Sequence, residues 1–178
     1  LGEESGKVGE SEYVWIVDPI DGTSNYLRGI PHYAVSIALQ IRGRIEHGVI
    51  YDPVRDEMFS ASRGEGAFLN DQRIRVSGRR DLSGAVLGTA FPFRSRRLMD
   101  PYQAMFLSLF EKIEDIRRAG AASLDLAYVA CGRLDGYWEL NLKPWDVAAG
   151  ALLVQEAGGV VMDVAGGERW LDSGHIIA

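Results

Sequence analysis

The apolar, β-branched run Tyr13-Val14-Trp15-Ile16-Val17 ends in Asp18-Pro19-Ile20-Asp21-Gly22-Thr23. The run predicts a buried strand. Pro19 has no N–H to give a ladder, so the strand is expected to stop there. Gly22-Thr23-Ser24-Asn25 reads as the entry to a helix. A single aspartate at such a point would be an ordinary turn cap. Two carboxylates at the end of a buried strand are costly unless something cationic meets them. Carboxylate and carbonyl oxygens are hard ligands, and Mg²⁺ is the hard ion that also takes phosphate oxygens. Backbone N–H groups at a helix start suit a phosphate.

The 178 residues are 47% apolar, enough for one sizeable core. A net charge of −6 disfavours passive binding to nucleic acid or anionic membrane. Two arginine clusters stand against that balance, Arg73, Arg75, Arg79 and Arg80, then Arg94, Arg96 and Arg97. Each reads first as a solvated surface. The single cysteine, Cys131, excludes an internal disulfide framework and fits a reducing, cytoplasmic setting. It lies in an Ala/Leu-rich segment and reads as core rather than nucleophile. No apolar run approaches transmembrane length, and no signal peptide is visible. The sequence starts at Leu1-Gly2 without methionine and stops in Ile176-Ile177-Ala178, which reads as an unfinished strand. A longer parent chain is expected.

After the first motif, Tyr33 to Ile41 reads as a strand, and Arg42-Gly43-Arg44 turns it back into Ile45 to Tyr51. Asp52-Pro53 leads to Glu57 to Ala61, and Gly64-Glu65-Gly66 and Asn70-Asp71 are further turns. The pattern is an antiparallel meander. Gly64 and Gly66 are no nucleotide fingerprint, because no helix with a third glycine follows. The spacing then becomes helical over Pro101 to Lys112, with Asp100 as expected cap and Pro101 at the first position. Ala122 to Cys131 predicts a buried helix, Leu134 to Leu140 a short strand, and Val160-Val161-Met162 another. Trp145, Ala148, Ala149, Leu152, Leu153 and Ala157 predict an amphipathic helix ended by Gly158-Gly159. Strands first, then alternating helices and strands, imply an α+β or mixed α/β fold. One domain over 1–178 is expected, with a sheet part over 1–115 and an α/β part over 116–178.

Two further segments carry acids. Lys143-Pro144-Trp145-Asp146 opens the last long helix, where the helix dipole alone favours Asp146. Gly2-Glu3-Glu4-Ser5 alone is an ordinary acidic surface. Read together, Glu3, Asp18, Asp21 and Asp146, with the Ile20 carbonyl, make a candidate ligand set for several magnesium ions.

Gly2 to Ser5, Trp15 to Asn25, and Trp145 to Gly150 running on to Glu156-Ala157-Gly158-Gly159 resemble, in order, the signature segments of the inositol monophosphatase family of Mg²⁺-dependent, lithium-sensitive phosphatases. The resemblance spans essentially the whole chain. Pro31 to Ala38, Phe91-Pro92-Phe93 and Ala122 to Ala130 place the likeness in the bacterial SuhB-type branch, and Ser24-Asn25-Tyr26 fits an inositol-type member. Fold likeness alone assigns no function; the ordered acids carry the argument.

The resemblance implies a layered αβαβα sandwich of the inositol monophosphatase and fructose-1,6-bisphosphatase type, here without the family's N-terminal helices and its C-terminal helix. It implies two or three Mg²⁺. Glu3, Asp18 and the Ile20 carbonyl would hold the first. Asp18 would bridge to a second, also held by Asp21 and Asp146. Glu3 and Thr23 would orient the attacking water, and the amides of Gly22 and Thr23 would meet the phosphate. Gly120, Ala122 and Glu139 would contact the inositol ring, and Asp146 would also bind substrate. The alternative for Glu139 is an exposed strand-end acid, the lesser reading. Two departures stand out: the Gly6 to Glu12 loop is short, and an acid on the missing helices that assists a third metal is absent.

The implied reaction is in-line hydrolysis of a phosphate monoester by metal-activated water, with myo-inositol 1-phosphate the first candidate and other inositol, glycerol or sugar phosphates behind it. Ser5, Ser24 and Ser123 sit in no nucleophile elbow. His32, His47 and His175 lack zinc spacing and read as structural or surface residues. A homodimer is implied by resemblance. An alternative from the same branch is a partner of RNA polymerase and its Nus factors in ribosomal-RNA antitermination, using Arg117 and Arg118 or the arginine clusters as a surface. A sugar-phosphate binder without turnover is weaker, because the acid set is complete.

Overall fold

The computed structural model describes residues 1–178. The meander forms as expected. Strands β1 (Tyr13–Asp21), β2 (Ala34–Ile41), β3 (Arg44–Asp52), β4 (Glu57–Ser62), β5 (Gly66–Leu69) and β6 (Gln72–Arg73) follow one another in one antiparallel sheet. Sequential hairpins need only short turns. Arg42-Gly43 and Asn70-Asp71 supply two of them, with positive φ at both central positions. The Asp52 carboxylate shapes a third by accepting the Val54 and Arg55 amides.

The second sheet is mixed. Strand β7 (Val86–Thr89) pairs in parallel with β8 (Asp115–Arg117) and β9 (Gly136–Glu139), and β10 (Ile176–Ile177) pairs antiparallel with β9. Between the sheets lie α3 (Ala122–Ala130) and α4 (Pro144–Glu156); α2 (Met99–Phe110) covers the other face of the second sheet. The order sheet, helices, sheet, helix is an α+β sandwich. Two short helices, α1 (Thr23–Leu27) and α5 (Trp170–Ser173), complete it. The change from meander to mixed sheet falls between β6 and β7. The 115/116 division passes through β8, and one core of Ile50, Phe59, Leu124, Leu126, Leu152 and Ile176 runs across it.

Several local expectations are corrected. Strand β1 does not stop at Pro19 but continues to Asp21, because the chain bulges and leaves the missing N–H outside the ladder. Helix α2 starts at Met99, after a 3₁₀ turn over Arg96–Leu98, and Asp100 lies in its first turn without capping it. Val160 to Met162 forms no strand; only Met162 bridges to Ile177. Helix α4 is not amphipathic. Every residue from Val147 to Val154 is buried, since one side lies on the first sheet and the other on α3. A helix covered all round loses the stripe that a one-sided helix shows. Gly158 does take a left-handed φ of 91° after α4.

Close approach makes this layer possible. A Cβ on Gly48 of β3 would stand 3.0 Å from Ala149 Cα, and one on Gly150 would stand 2.5 Å from Leu126 Cβ of α3. Gly150→Ala gains about 1 kcal/mol of helix propensity, but overpacking costs about 1–3 kcal/mol. We expect a net loss of stability in urea unfolding, with the slope unchanged. A variant as stable as the parent would show that α3 and α4 part freely.

Candidate functional site

Residues three positions apart along a strand point to opposite faces, so Asp18 and Asp21 in a regular strand would face away from each other. Here Asp18 pairs with Ser36 and Asp21 with Ala34, so β1 spends three steps where β2 spends two. The extra residue restores parity. Ser36 and Ala34 both point inward, and so do both aspartates, 1% and 7% exposed. The chain then turns at Gly22, whose φ is 85°. A Cβ there would stand 3.0 Å from the His32 carbonyl and 3.2 Å from Ala121 Cβ, so glycine suits both the angle and the space.

Asp146 arrives from the other direction. Pro144 starts α4, and Asp146 in its first turn accepts the Lys143 amide at 2.7 Å through Oδ2. The Ser36 hydroxyl donates to the Trp145 carbonyl at 3.2 Å and ties this helix start to β2. Asp18, Asp21 and Asp146 each bring an oxygen within 4.8 Å of the others. Glu3 reaches the same cleft because Gly2 bridges in parallel to Val17, and the Glu3 amide donates to the Val17 carbonyl at 3.2 Å. Ile20 lines the cleft, and its carbonyl accepts the Thr23 hydroxyl at 2.8 Å.

The hydrogen bonds divide each carboxyl group. Asp18 Oδ1 accepts the Ile20 amide at 3.0 Å. Asp21 Oδ2 accepts the Ser123 amide at 2.8 Å and its hydroxyl at 2.5 Å. Asp146 Oδ2 accepts the Lys143 amide. Asp18 Oδ2 and Asp146 Oδ1 receive no donor from the protein, Asp21 has beyond Ser123 only a weak contact with the Gly22 amide, and no lysine or arginine pairs with these three residues. Three fixed, unneutralised hard oxygens facing one point fit a divalent cation.

Crowding shows in the protonation. Burial first, then the charges of Asp21 and Glu3, push Asp18 up to about 8. Burial pushes Asp146 up to about 7 against the Lys143 amide, and raises Asp21 against the two Ser123 hydrogen bonds. Desolvation and like charge both disfavour the carboxylate form.

The cleft has a volume of about 220 Å³. The expected substrate-side residues Gly22, Thr23, Gly120, Ala122, Glu139 and Asp146 all line it. Glu139 accepts the Tyr137 hydroxyl, and burial pushes it up to about 7. It is therefore not a solvated strand-end acid. Asn25, buried at the start of α1, donates to the His32 carbonyl at 2.8 Å and the Ala119 carbonyl at 2.9 Å, tying the first motif to the Gly120 segment.

Sequence reasoning missed three charged residues of the lining. Arg118, expected on an outer surface, lies in the cleft with its guanidinium 5.6 Å from the centre of the Phe93 ring. Arg94, grouped with a surface cluster, lines it too. Asp125 sits inside the Ala/Leu-rich α3, and an isolated acid in a buried helix was the available signal. Arg117 pairs with Asp115. Cys131 is half-buried, with its thiol pushed up by burial. His47 meets the Ser62 hydroxyl, His175 accepts the Asn141 amide, and His32 packs edge-on to Tyr128.

The family model for the inositol monophosphatase family matches residues 1–178. A protein of Pseudomonas aeruginosa strain PAO1 named Nus factor SuhB is 58% identical over 184 aligned residues, covering all of this chain and 68% of that protein. The crystal structure of extragenic suppressor protein suhB from Bartonella henselae is 50% identical and superposes with a TM-score of 0.95 over 99% of this chain and 69% of its own. The structure of inositol monophosphatase from Anabaena is 46% identical, with a TM-score of 0.94 over 99% of this chain and 71% of its own.

The raised carboxyl groups have a stability consequence. Their folded-state affinity for protons exceeds that of the unfolded chain, so the stability they contribute is complete below about pH 4 and is lost as pH rises through 7 to 8. A bound cation replaces those protons. Metal-free protein is expected to melt lower at pH 8 than at pH 5, and millimolar MgCl₂ to raise the melting temperature more at pH 8. Equal metal-induced shifts at the two pH values would refute a cation bound by these carboxylates.

Proposed function

Since the chain belongs to the inositol monophosphatase family, we propose that it is a Mg²⁺-dependent phosphomonoesterase whose substrate is myo-inositol 1-phosphate. The observation that carries this reading is the set of three buried or half-buried carboxylates, each with one oxygen tied by the protein, at the head of a cleft with a second acid, Glu139, further along its wall. Glu3, Asp18 and the Ile20 carbonyl would hold one Mg²⁺, and Asp18, Asp21 and Asp146 a second. When bound, the ions neutralise phosphate charge and make water a better nucleophile at neutral pH.

The protein's own groups do the rest. Glu3 and the Thr23 hydroxyl, already aligned on the Ile20 carbonyl, orient the attacking water. The backbone N–H groups of Gly22 and Thr23 take phosphate oxygens where the glycine lets the chain approach closely. Gly120 and Ala122 leave room for the ring, and Glu139 accepts from its hydroxyls. The Ser123 and Lys143 amides keep Asp21 and Asp146 in place during turnover. A cytoplasmic homodimer completes the proposal; sedimentation of the purified protein tests the dimer.

The test is phosphate release from myo-inositol 1-phosphate with Mg²⁺ titrated and lithium added. Wild-type turnover should require Mg²⁺ and fall with lithium. Asp21→Asn and Asp146→Asn should each lose roughly a hundredfold or more of that turnover with the fold intact by circular dichroism. Near-normal rates in either variant would refute the site assignment.

A second role is supported by the relative named Nus factor SuhB, 58% identical to this chain. We propose that the same protein contacts RNA polymerase or its Nus factors during transcription. Co-purification with the polymerase is expected, and retention of that binding by Asp21→Asn would separate it from hydrolysis. Failure to co-purify would leave the phosphatase role alone.

A further inference from the structure

Asp125 is 2% exposed, on a helix whose other buried residues are, apart from Ser123, Ala, Leu and Val. Asp125 lines the cleft, and no protein donor hydrogen-bonds to its carboxyl group; Glu139, Asp21 and Arg118 act on it only through charge. A buried polar group left without a partner costs stability. Such a group is retained where a partner arrives with a ligand, and Asp125 lines the cleft.

Its position narrows the partner. Asp125 lies three residues after Ala122, on the same face of α3. Two residues before it, the Ser123 amide and hydroxyl hold Asp21 of the carboxylate cluster. Opposite, on β9, stands Glu139, engaged by Tyr137. Strand β7 forms the floor, where a Cβ on Gly88 would lie 3.6 Å from the Asp125 Cβ. A phosphate on the cluster would therefore put its alcohol portion between Asp125 and Glu139. Two acids there suit hydroxyl groups, whose O–H they accept in either protonation state, and suit a second phosphate poorly.

We propose that Asp125 contacts hydroxyl groups of the leaving alcohol alongside Glu139, and so selects polyol phosphates over phosphate esters whose alcohol carries no neighbouring hydroxyls. The inference rests on the phosphomonoesterase reading and adds a specificity residue to it.

The test compares kcat/KM for myo-inositol 1-phosphate and 4-nitrophenyl phosphate in wild type, Asp125→Ala and Asp125→Asn. Asp125→Ala should lower the value for the inositol ester roughly tenfold or more, mainly through KM, and change the nitrophenyl ester by no more than about twofold. The unchanged nitrophenyl turnover also certifies the fold. Asp125→Asn, which keeps shape and one acceptor, should fall between the two and carries the test if the alanine variant does not fold. Equal losses on both esters, or an unchanged ratio, would overturn the proposal.

Wild-type protein that hydrolyses neither ester would sink the phosphatase reading rather than this one. The contact is then read by calorimetry of myo-inositol 1-phosphate with Ca²⁺-loaded protein. There the alanine variant should bind roughly tenfold more weakly, and equal binding overturns the proposal.

Discussion

The single extra residue between Asp18 and Asp21 decides what this molecule can be. Strand parity would send one of the two carboxylates to the outer face of the first sheet, and no later rearrangement of side chains could recover it. The bulge turns both inward while the flanking pairs, Asp18 with Ser36 and Asp21 with Ala34, keep the sheet in register. Pro19 fits there because a bulged residue owes no hydrogen bond to the ladder. The residue that a strand rule would use to end β1 thus marks the place where the strand is re-aimed.

From that point the site and the core are one construction. Asp21 accepts the amide and hydroxyl of Ser123 and so holds the first turn of α3. Asp146 holds the start of α4 through the Lys143 amide. The two helices then cross at Gly150 and Leu126 with no space to spare. Any shift between them would move Asp146 relative to Asp21. Tight packing at a position with no polar chemistry therefore sets the spacing of the carboxylates, and the apolar core positions a charged site it does not touch.

Much of this was legible in the sequence, and what escaped did so for physical reasons. The hairpins were visible because their turns are local, and the order of the acid-bearing segments was visible because each carries its own punctuation in Pro and Gly. Helix α4 misled because burial on all sides replaces a stripe by uniform small and apolar residues, among which a helical spacing can always be picked out. Val160 to Met162 has strand composition, yet a strand exists only where a partner edge is free, and that is set by the distant Ile177. Arg118 was mistaken for surface because position in a cleft is a tertiary fact. Asp125 left the best unused clue: charge does not sit in a buried helix without a reason.

The cleft gathers six carboxyl groups, of Glu3, Asp18, Asp21, Asp125, Glu139 and Asp146, against the two guanidiniums of Arg94 and Arg118. A fold of ordinary stability cannot hold six such charges together in a partly desolvated space. The protein meets the difficulty by dividing it. Burial holds Asp18, Asp21 and Asp146 above the usual carboxylate range, which favours a proton or a cation beside each. Glu139 leans on the Tyr137 hydroxyl and stands with Asp125 within the field of Arg118. The repulsion that remains suits the carboxylate cluster to a hard cation. One row of acids thus differs along its length, metal-ready at Asp18, Asp21 and Asp146 and paired to a hydroxyl at Glu139.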